Sequence, residues 1–495
     1  SGGDMVLTEA HANTLTANAG GKLTATTLGV TGAAGLTSGG AMEVTDANVG
    51  SVAAKAGTTL HVKKLTSTGE ATLTSKDEAK LDEVTAGTLA AESTAGSVNA
   101  GTLTTTGDSS VTAKTDVTIG TLTAEAGGAT IEATDGALGV TTLNAKSLTA
   151  KAGTTLSAKT LDVKEHAELT SGSDMVLTEA HANTLTANAG GKLTATTLGV
   201  TGAAGLTSGG AMEVTDANVG SVAAKAGTTL HVKKLTSTGE ATLTSKDEAK
   251  LDDVTAGTLA AESTTGSVNA GTLTATTGDA KVTAKTDVKI DALKAEAGSA
   301  AIEATEGKLD VTTLNAKSLT AKAGTMLSAK TLDVKEHAEL TSGGAMMLES
   351  ASADTLTANA GTTLDATKIH VAGDASLVSG SDMLLHEAEA GGKLTTSAGG
   401  SISVKGKNAK ISGSTIEMTA KKDIRITDRS PVGKLDGVDT SMSAGSTTGN
   451  GAAGSLVTGE AKPHDFDASR KGSALLSSAG GKVTLSAKKV EIDTL

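Results

Sequence analysis

The chain has no cysteine, no tryptophan and no tyrosine, only two prolines, and a single phenylalanine, Phe466, among 495 residues. Each absence removes a class of protein. Without cysteine there is no disulfide framework and no thiolate-held metal. Without tryptophan or tyrosine, the stacking residues usual in sugar sites and single-strand nucleic-acid grooves are missing. Wide globular cores are filled largely by aromatic rings, so a 38% hydrophobic content that is almost entirely aliphatic or alanine suits a narrow interior. No apolar run is long enough to span a bilayer, and no basic-then-apolar leader opens the sequence. The chain enters its repeats at once and is expected to be a segment of a longer polypeptide. Lys and Arg number 42 against 55 Asp and Glu, a formal net charge of −13. That balance disfavours a nucleic-acid partner and unaided docking on an anionic membrane, and the even mixing of signs describes a solvated surface.

What is present is repetition. In "SLTAKAGTTLSAKTLDVKEHAELTSG", residues 147–172, Leu148, Leu156, Leu161 and Leu169 follow one another at steps of eight, five and eight. The same steps join Leu15, Leu23, Leu28 and Leu36, then Val52, Leu60, Leu65 and Leu73, and later Leu356, Leu364, Ile369 and Leu377. Leu15 and Val52 are 37 residues apart, as are Leu319 and Leu356, so the local unit divides into two turns of 18 or 19 residues. A larger repeat lies above it: "DMVLTEAHANTLTANAGGKLTATTLGVTGAAGLTSGG" begins at Asp4 and again at Asp174. The expected organisation is a first block over 1–170, a second over 171–341, a divergent third over 342–430, a Gly/Ser/Pro-containing excursion over 431–470, and a returning coil over 471–495.

Segments such as "SVTAKTDVTI" and "KVTLSAKKVEI" alternate polar and apolar residues, the pattern of half-buried strands, and Gly-containing pairs punctuate them. A period of 18 or 19 residues is too short for a four-stranded propeller blade but fits one coil of a β-helix with three short strands. The step of five then turns a corner between inward sites. Inward positions of successive coils are expected to stack Leu over Leu and Val over Val, with threonine outside, where it keeps strand propensity. About two dozen coils at roughly 4.8 Å each would be on the order of 110–120 Å long. The pattern breaks where Pro431, Pro463 and Phe466 fall, because proline cannot donate to a strand ladder.

Few residues suggest chemistry. His166 and His337 stand in "KEHAEL" beside glutamates, but with no HExxH motif and no dense cluster they read as outward residues on a polar face. Asp77, Glu78, Asp82 and Glu83 invite a calcium reading, yet no EF-hand loop accompanies them and Lys76 and Lys80 interleave with them, so no metal or cofactor is expected. The most distinctive charged stretch is "KKDIRITDRSP", where Arg425 and Arg429 lie with Asp423 and Asp428, followed by "HDFDASRK" with His464, Phe466 and Arg470. Those five cationic and aromatic residues are the candidate partner-contact set. A carbohydrate-active enzyme would need its acids and arginines to converge in one groove near 423–470.

The repeats "NTLTANAGGKLTATTLGVTG", "SLTAKAGTTLSAKTLDVKEHAELTSG" and "GSALLSSAGGKVTLSAKKVEI" resemble the haemagglutinin repeats of filamentous haemagglutinin-type exoproteins of bacterial two-partner secretion. The resemblance covers nearly all of residues 1–430 and resumes near 471–495. It implies a right-handed parallel β-helix, an all-β fold, serving as the noncatalytic shaft of a secreted or cell-surface adhesin. It also implies export through an outer-membrane partner and a host-surface protein or glycan as the adhesin's target. No secretion domain, toxin domain or Arg-Gly-Asp motif is recognisable in the chain. The competing readings are a carbohydrate-active β-helix and a matrix fibre that self-associates end to end.

Overall fold

The eight-five-eight spacing traces the path of one coil. In the strand Met42–Ala56, the buried positions are Met42 and Val44, then Ala47 and Val49, then Val52, Ala54 and Ala56. Two consecutive outward residues, 45–46 and 50–51, separate these groups and mark corners. Each coil therefore has three faces carrying two, two and three inward side chains, and residues 57–59 close it. Leu23 lies under Met42, and Met42 under Leu60, steps of 19 and 18 that sum to the 37-residue period. The step of five, Leu156 to Leu161, crosses the first corner, and Leu148, Leu156, Leu161 and Leu169 are all 1–2% exposed. Fully burying each leucine contributes roughly 1.5–3 kcal/mol before ordering costs.

This computed structural model describes residues 1–405, 409–427, 439–440, 475–478 and 482–492. It comprises two units, Ser1–Ser245 and Lys246–Leu495. Each is a right-handed parallel β-solenoid. In the first, strands such as Leu138–Ala152, Leu156–Ser171, Met175–Ala189 and Leu193–Ser208 pair in parallel, each with the next. In the second, Leu309–Ala323 pairs in parallel with Leu327–Val334 and His337–Ser342, and the same order continues to Asp423–Thr427. Beyond it, Leu475–Ser478, Lys482–Ser486 and Lys489–Ile492 pair with Lys410–Gly413, Thr415–Ala420 and Asp423–Thr427. Most of the excursion expected over 431–470 lies outside the described residues; Asp439–Thr440 forms a two-residue strand against Lys482–Ser486.

The inward rows do not all stack like on like. On the second face Leu122, Leu143 and Leu161 do lie over one another. On the third face the row Ala150, Leu169, Ala187, Leu206, Ala224, Leu243 alternates small and large, and its neighbour Leu148, Ala167, Leu185, Ala204, Val222, Ala241 alternates in the opposite phase. The expectation of leucine over leucine is corrected here by volume. Adjacent rows share one close-packed layer per coil, so a large side chain in one row requires a small one beside it. This alternation is why the sequence repeats every two coils. The phase slips once in the first unit, where Val111 and Ile131 follow each other in one row and Ser109 and Ala129 in the other.

Many coils close with glycine at one stacked position, although Thr94, Lys114 and Thr134 hold the equivalent place and donate their N–H to the preceding coil in the same way. A Cβ on Gly39 would stand 2.3 Å from the carbonyl oxygen of Gly20, and one on Gly57 would stand 2.1 Å from that of Gly39. The close approach lets Gly39 N–H donate to Ala19 O at 2.9 Å and Gly57 N–H to Ser38 O at 2.8 Å. Ser38, buried at the adjoining inward position, donates its hydroxyl to Gly40 O at 2.9 Å, so its burial leaves no orphaned group.

The alternation makes a specific prediction. Ala187→Leu should overpack its layer and cost about 1–3 kcal/mol, and Leu206→Ala should leave a cavity and cost about 2–5 kcal/mol. Because the two positions touch, the double variant should cost less than the sum. Urea unfolding followed by amide exchange across 175–208 measures this, and strict additivity would refute the packing account.

Candidate functional site

Arg425 lies on the strand Asp423–Thr427, and its guanidinium Nη2 donates to Asp423 Oδ2 at 3.0 Å, two residues away on the same strand. Asp428, Arg429, His464, Phe466 and Arg470 lie outside the described residues, so the groove expected near 423–470 is represented only by this exposed pair.

Several histidines meet a polar side chain on the outer surface. His166 Nδ1 is 2.9 Å from Thr184 Oγ1, and its copy His337 is 2.9 Å from Thr355 Oγ1. Neither meets the glutamates that flank it in sequence; Glu165 instead pairs with Lys146 at 3.7 Å. His61 Nε2 is 2.9 Å from Asp82 Oδ2, with Lys80 3.7 Å from the other carboxylate oxygen. Among the described residues no group of three or more His, Asp and Glu is placed to hold a metal ion.

The acids have another task. Asp4 Oδ1 accepts from Lys22 N at 2.7 Å, Asp116 Oδ1 from Ala137 N at 2.7 Å, and Asp174 Oδ1 from Lys192 N at 2.8 Å. The second unit repeats this with Asp287 and Lys308, Asp374 and Lys393, and Asp382 and Ser401. Each carboxylate satisfies a main-chain donor on the following coil at a corner, a charge-assisted bond.

Charged side chains also bridge coils. Glu43 receives Lys63 at 3.1 Å and Lys22 at 3.2 Å, joining three successive coils; Glu213, Lys233 and Lys192 repeat the arrangement. Lys63 first, then Lys22, hold the Glu43 carboxyl below the usual carboxylate range. Lys410 does the same to Glu389, assisted by His370 at 3.2 Å.

One concavity was not anticipated. An open trough of about 620 Å³ runs along the third face of the first unit. Glu70, Asp108, Lys146 and Glu165 line it together with the hydroxyl residues Thr88, Ser110, Thr130 and Ser147. It forms beside the longest coil of that unit, where Val117 lies under Leu138, 21 residues on (138 − 117), and the register shifts between Ala124 and Gly128. The carboxylates are already engaged: Asp108 Oδ1 accepts from Gly128 N at 2.8 Å, and Glu70 Oε1 from Thr72 Oγ1 at 3.0 Å. The signal available in sequence was the lengthened spacing together with the Gly127–Gly128 pair. In the second block, Ser110 and Thr130 are replaced by Lys281 and Ala301, so these two lining hydroxyls are not repeated.

Among the described residues no helix is long and apolar enough to cross a membrane. No protein-family model, curated protein or solved structure matches this chain.

The Glu43 clamp predicts a pH dependence. Its folded carboxyl is depressed, so its stabilisation is present above the unfolded carboxylate value and is lost as pH falls through the folded value. Lys63→Met should raise the Glu43 midpoint toward the ordinary range, read by carboxyl NMR titration. Its stability deficit against the parent should be present at neutral pH and vanish once Glu43 is protonated in both proteins. An unmoved midpoint would show that Lys63 does not hold the carboxylate.

Proposed function

We propose that this chain is a noncatalytic structural segment, the shaft of a secreted bacterial surface adhesin of the filamentous haemagglutinin type, holding distal binding or effector domains away from the cell. The observation that carries this reading is the division of labour within each coil. Inward positions form aliphatic rows that continue from coil to coil within each unit, and outward charges are used to tie neighbouring coils, as Lys22, Glu43 and Lys63 do. Such a surface supplies stiffness and solubility, and its length is set by repeat number. The repeat phrases support the haemagglutinin-type assignment, and with it come secretion through an outer-membrane partner and a host-surface protein or glycan as the target of the whole adhesin.

One feature favours a second reading, a carbohydrate-active solenoid. The trough sets Glu70, Asp108 and Glu165 along one face, and carboxylates are the working groups of glycoside hydrolysis. Against it stand the engagement of Asp108 and Glu70 in internal hydrogen bonds and the pairing of Glu165 with Lys146.

Incubation of the full chain with a panel of neutral and acidic polysaccharides, followed by reducing-end and unsaturated-product assays, separates the two. The shaft reading expects no product. Turnover that is lost in Glu70→Gln, Asp108→Asn or Glu165→Gln would replace it with the enzymatic one.

A further inference from the structure

The trough of the first unit is altered in the second block at places that decide what it can hold. Its acids are kept: Glu70, Asp108 and Glu165 correspond to Glu240, Asp279 and Glu336. Ser110 and Gly128, however, become Lys281 and Ser299. In the copy, the hydroxyls of Ser299 and Ser318 lie 2.8 Å apart. In the first unit Gly128 is in register with Ser147, and a Cβ on Gly128 would stand 2.9 Å from Ser147 Oγ. The glycine therefore leaves open, in front of Ser147, the place that a serine side chain fills in the copy. With serine at 110 the trough also keeps its three carboxylates against a single lysine, Lys146.

The acids are set out along the coil axis. Glu70 is beside Thr88, and Asp108 precedes Ser109, which is beside Leu89, so Thr88 stands between the two acids on the coil that separates them. Two strand spacings put Glu70 and Asp108 roughly 9–10 Å apart along the axis. Each spends one oxygen on an internal donor, Glu70 Oε1 on Thr72 Oγ1 and Asp108 Oδ1 on Gly128 N. A carboxylate so anchored keeps acceptor capacity on its second oxygen.

We propose that this trough is a binding site for a polymeric amino sugar, a hydroxylated chain that carries free primary ammonium groups. The ammonium groups donate charge-assisted bonds to Glu70 and Asp108, and the sugar hydroxyls exchange bonds with Thr88, Ser110 and Ser147. A neutral sugar is the poorer fit, because the chain has no Trp or Tyr to stack against its face. An acidic sugar is repelled by the three carboxylates. A lysine-rich peptide matches the charge but leaves the hydroxyls unanswered. The proposal rests on the noncatalytic reading above, since the site holds its ligand without cleaving it.

The second block supplies the control. Ser110→Lys combined with Gly128→Ser gives the trough residues that the copy already accommodates, and the copy keeps the corner bond, Ser299 N to Asp279 Oδ1 at 2.8 Å. The full chain is titrated by calorimetry at mildly acidic pH with short β-1,4-linked glucosamine oligomers, with the same oligomers fully N-acetylated, and with an oligolysine of equal charge. The parent should bind the glucosamine oligomer about tenfold tighter than either control, and the double variant should lose that preference. Glu70→Gln should weaken binding as well. No binding, equal binding of the acetylated oligomer or of oligolysine, or binding that the double variant leaves intact would overturn the proposal. Each of these results leaves the shaft reading standing. Shortened oligomers, sought by chromatography of the same samples, would instead overturn that reading and the proposal with it.

Discussion

The parallel main-chain ladder from coil to coil is the constraint on which each unit depends. It fixes the distance between layers and leaves no choice about which residue lies over which. Once Leu156 is under Met175, every other inward contact between those coils follows. The corner glycines are a consequence: Gly39 is needed because the ladder brings its Cα within reach of the Gly20 carbonyl. So are the corner aspartates, which take up main-chain donors of the next coil where the ladder turns. One coil alone would leave both its edges unpaired and its inward face half wet.

The same ladder organises the outer charges. Residues of neighbouring coils sit about one strand spacing apart, close enough for Lys22, Glu43 and Lys63 to meet without any loop to position them. Exposed ion pairs of this kind contribute little individually, on the order of 0–1 kcal/mol, and their repetition matters more than any one member. The Lys192, Glu213 and Lys233 group shows that the duplicated sequence rebuilds the contact along with the coil. The trough marks where regularity lapses: the longer coil leaves Glu125 and Ala126 exposed, and hydroxyl side chains line the depression beside them.

Fold was far more legible than site. The 37-residue recurrence and strand-like alternation carried the coil length and its three faces, because a solenoid repeats the same local problem in every layer. The opposed phase of the third-face rows was also present in the sequence, as Leu148, Ala150, Ala167 and Leu169 show, but it becomes readable only when coils are laid in register. His11 and His181 meet the glutamates two residues before them, but His166 could not be placed by its neighbours along the chain: it faces Thr184, 18 residues away, and not Glu165 or Glu168. The trough had no motif to announce it. It brings together Glu70, Asp108 and Glu165 from separate coils, and only the register shift at Ala124 to Gly128 makes the depression.

The alternating third face constrains how such a chain can lengthen. From Met5 to Met175 the path runs through Leu23, Met42, Leu60, Ala79, Val98, Val117, Leu138 and Leu156, nine steps in all. Nine is odd, and a strictly two-step pattern copied with an odd count would bring like-sized side chains together at the seam. The single irregular pair, Val111 with Ile131 beside Ser109 with Ala129, restores parity inside the block. A tandem copy can therefore be joined head to tail with no mismatch at the junction, so the defect in the rhythm is what makes the block a unit that can be duplicated.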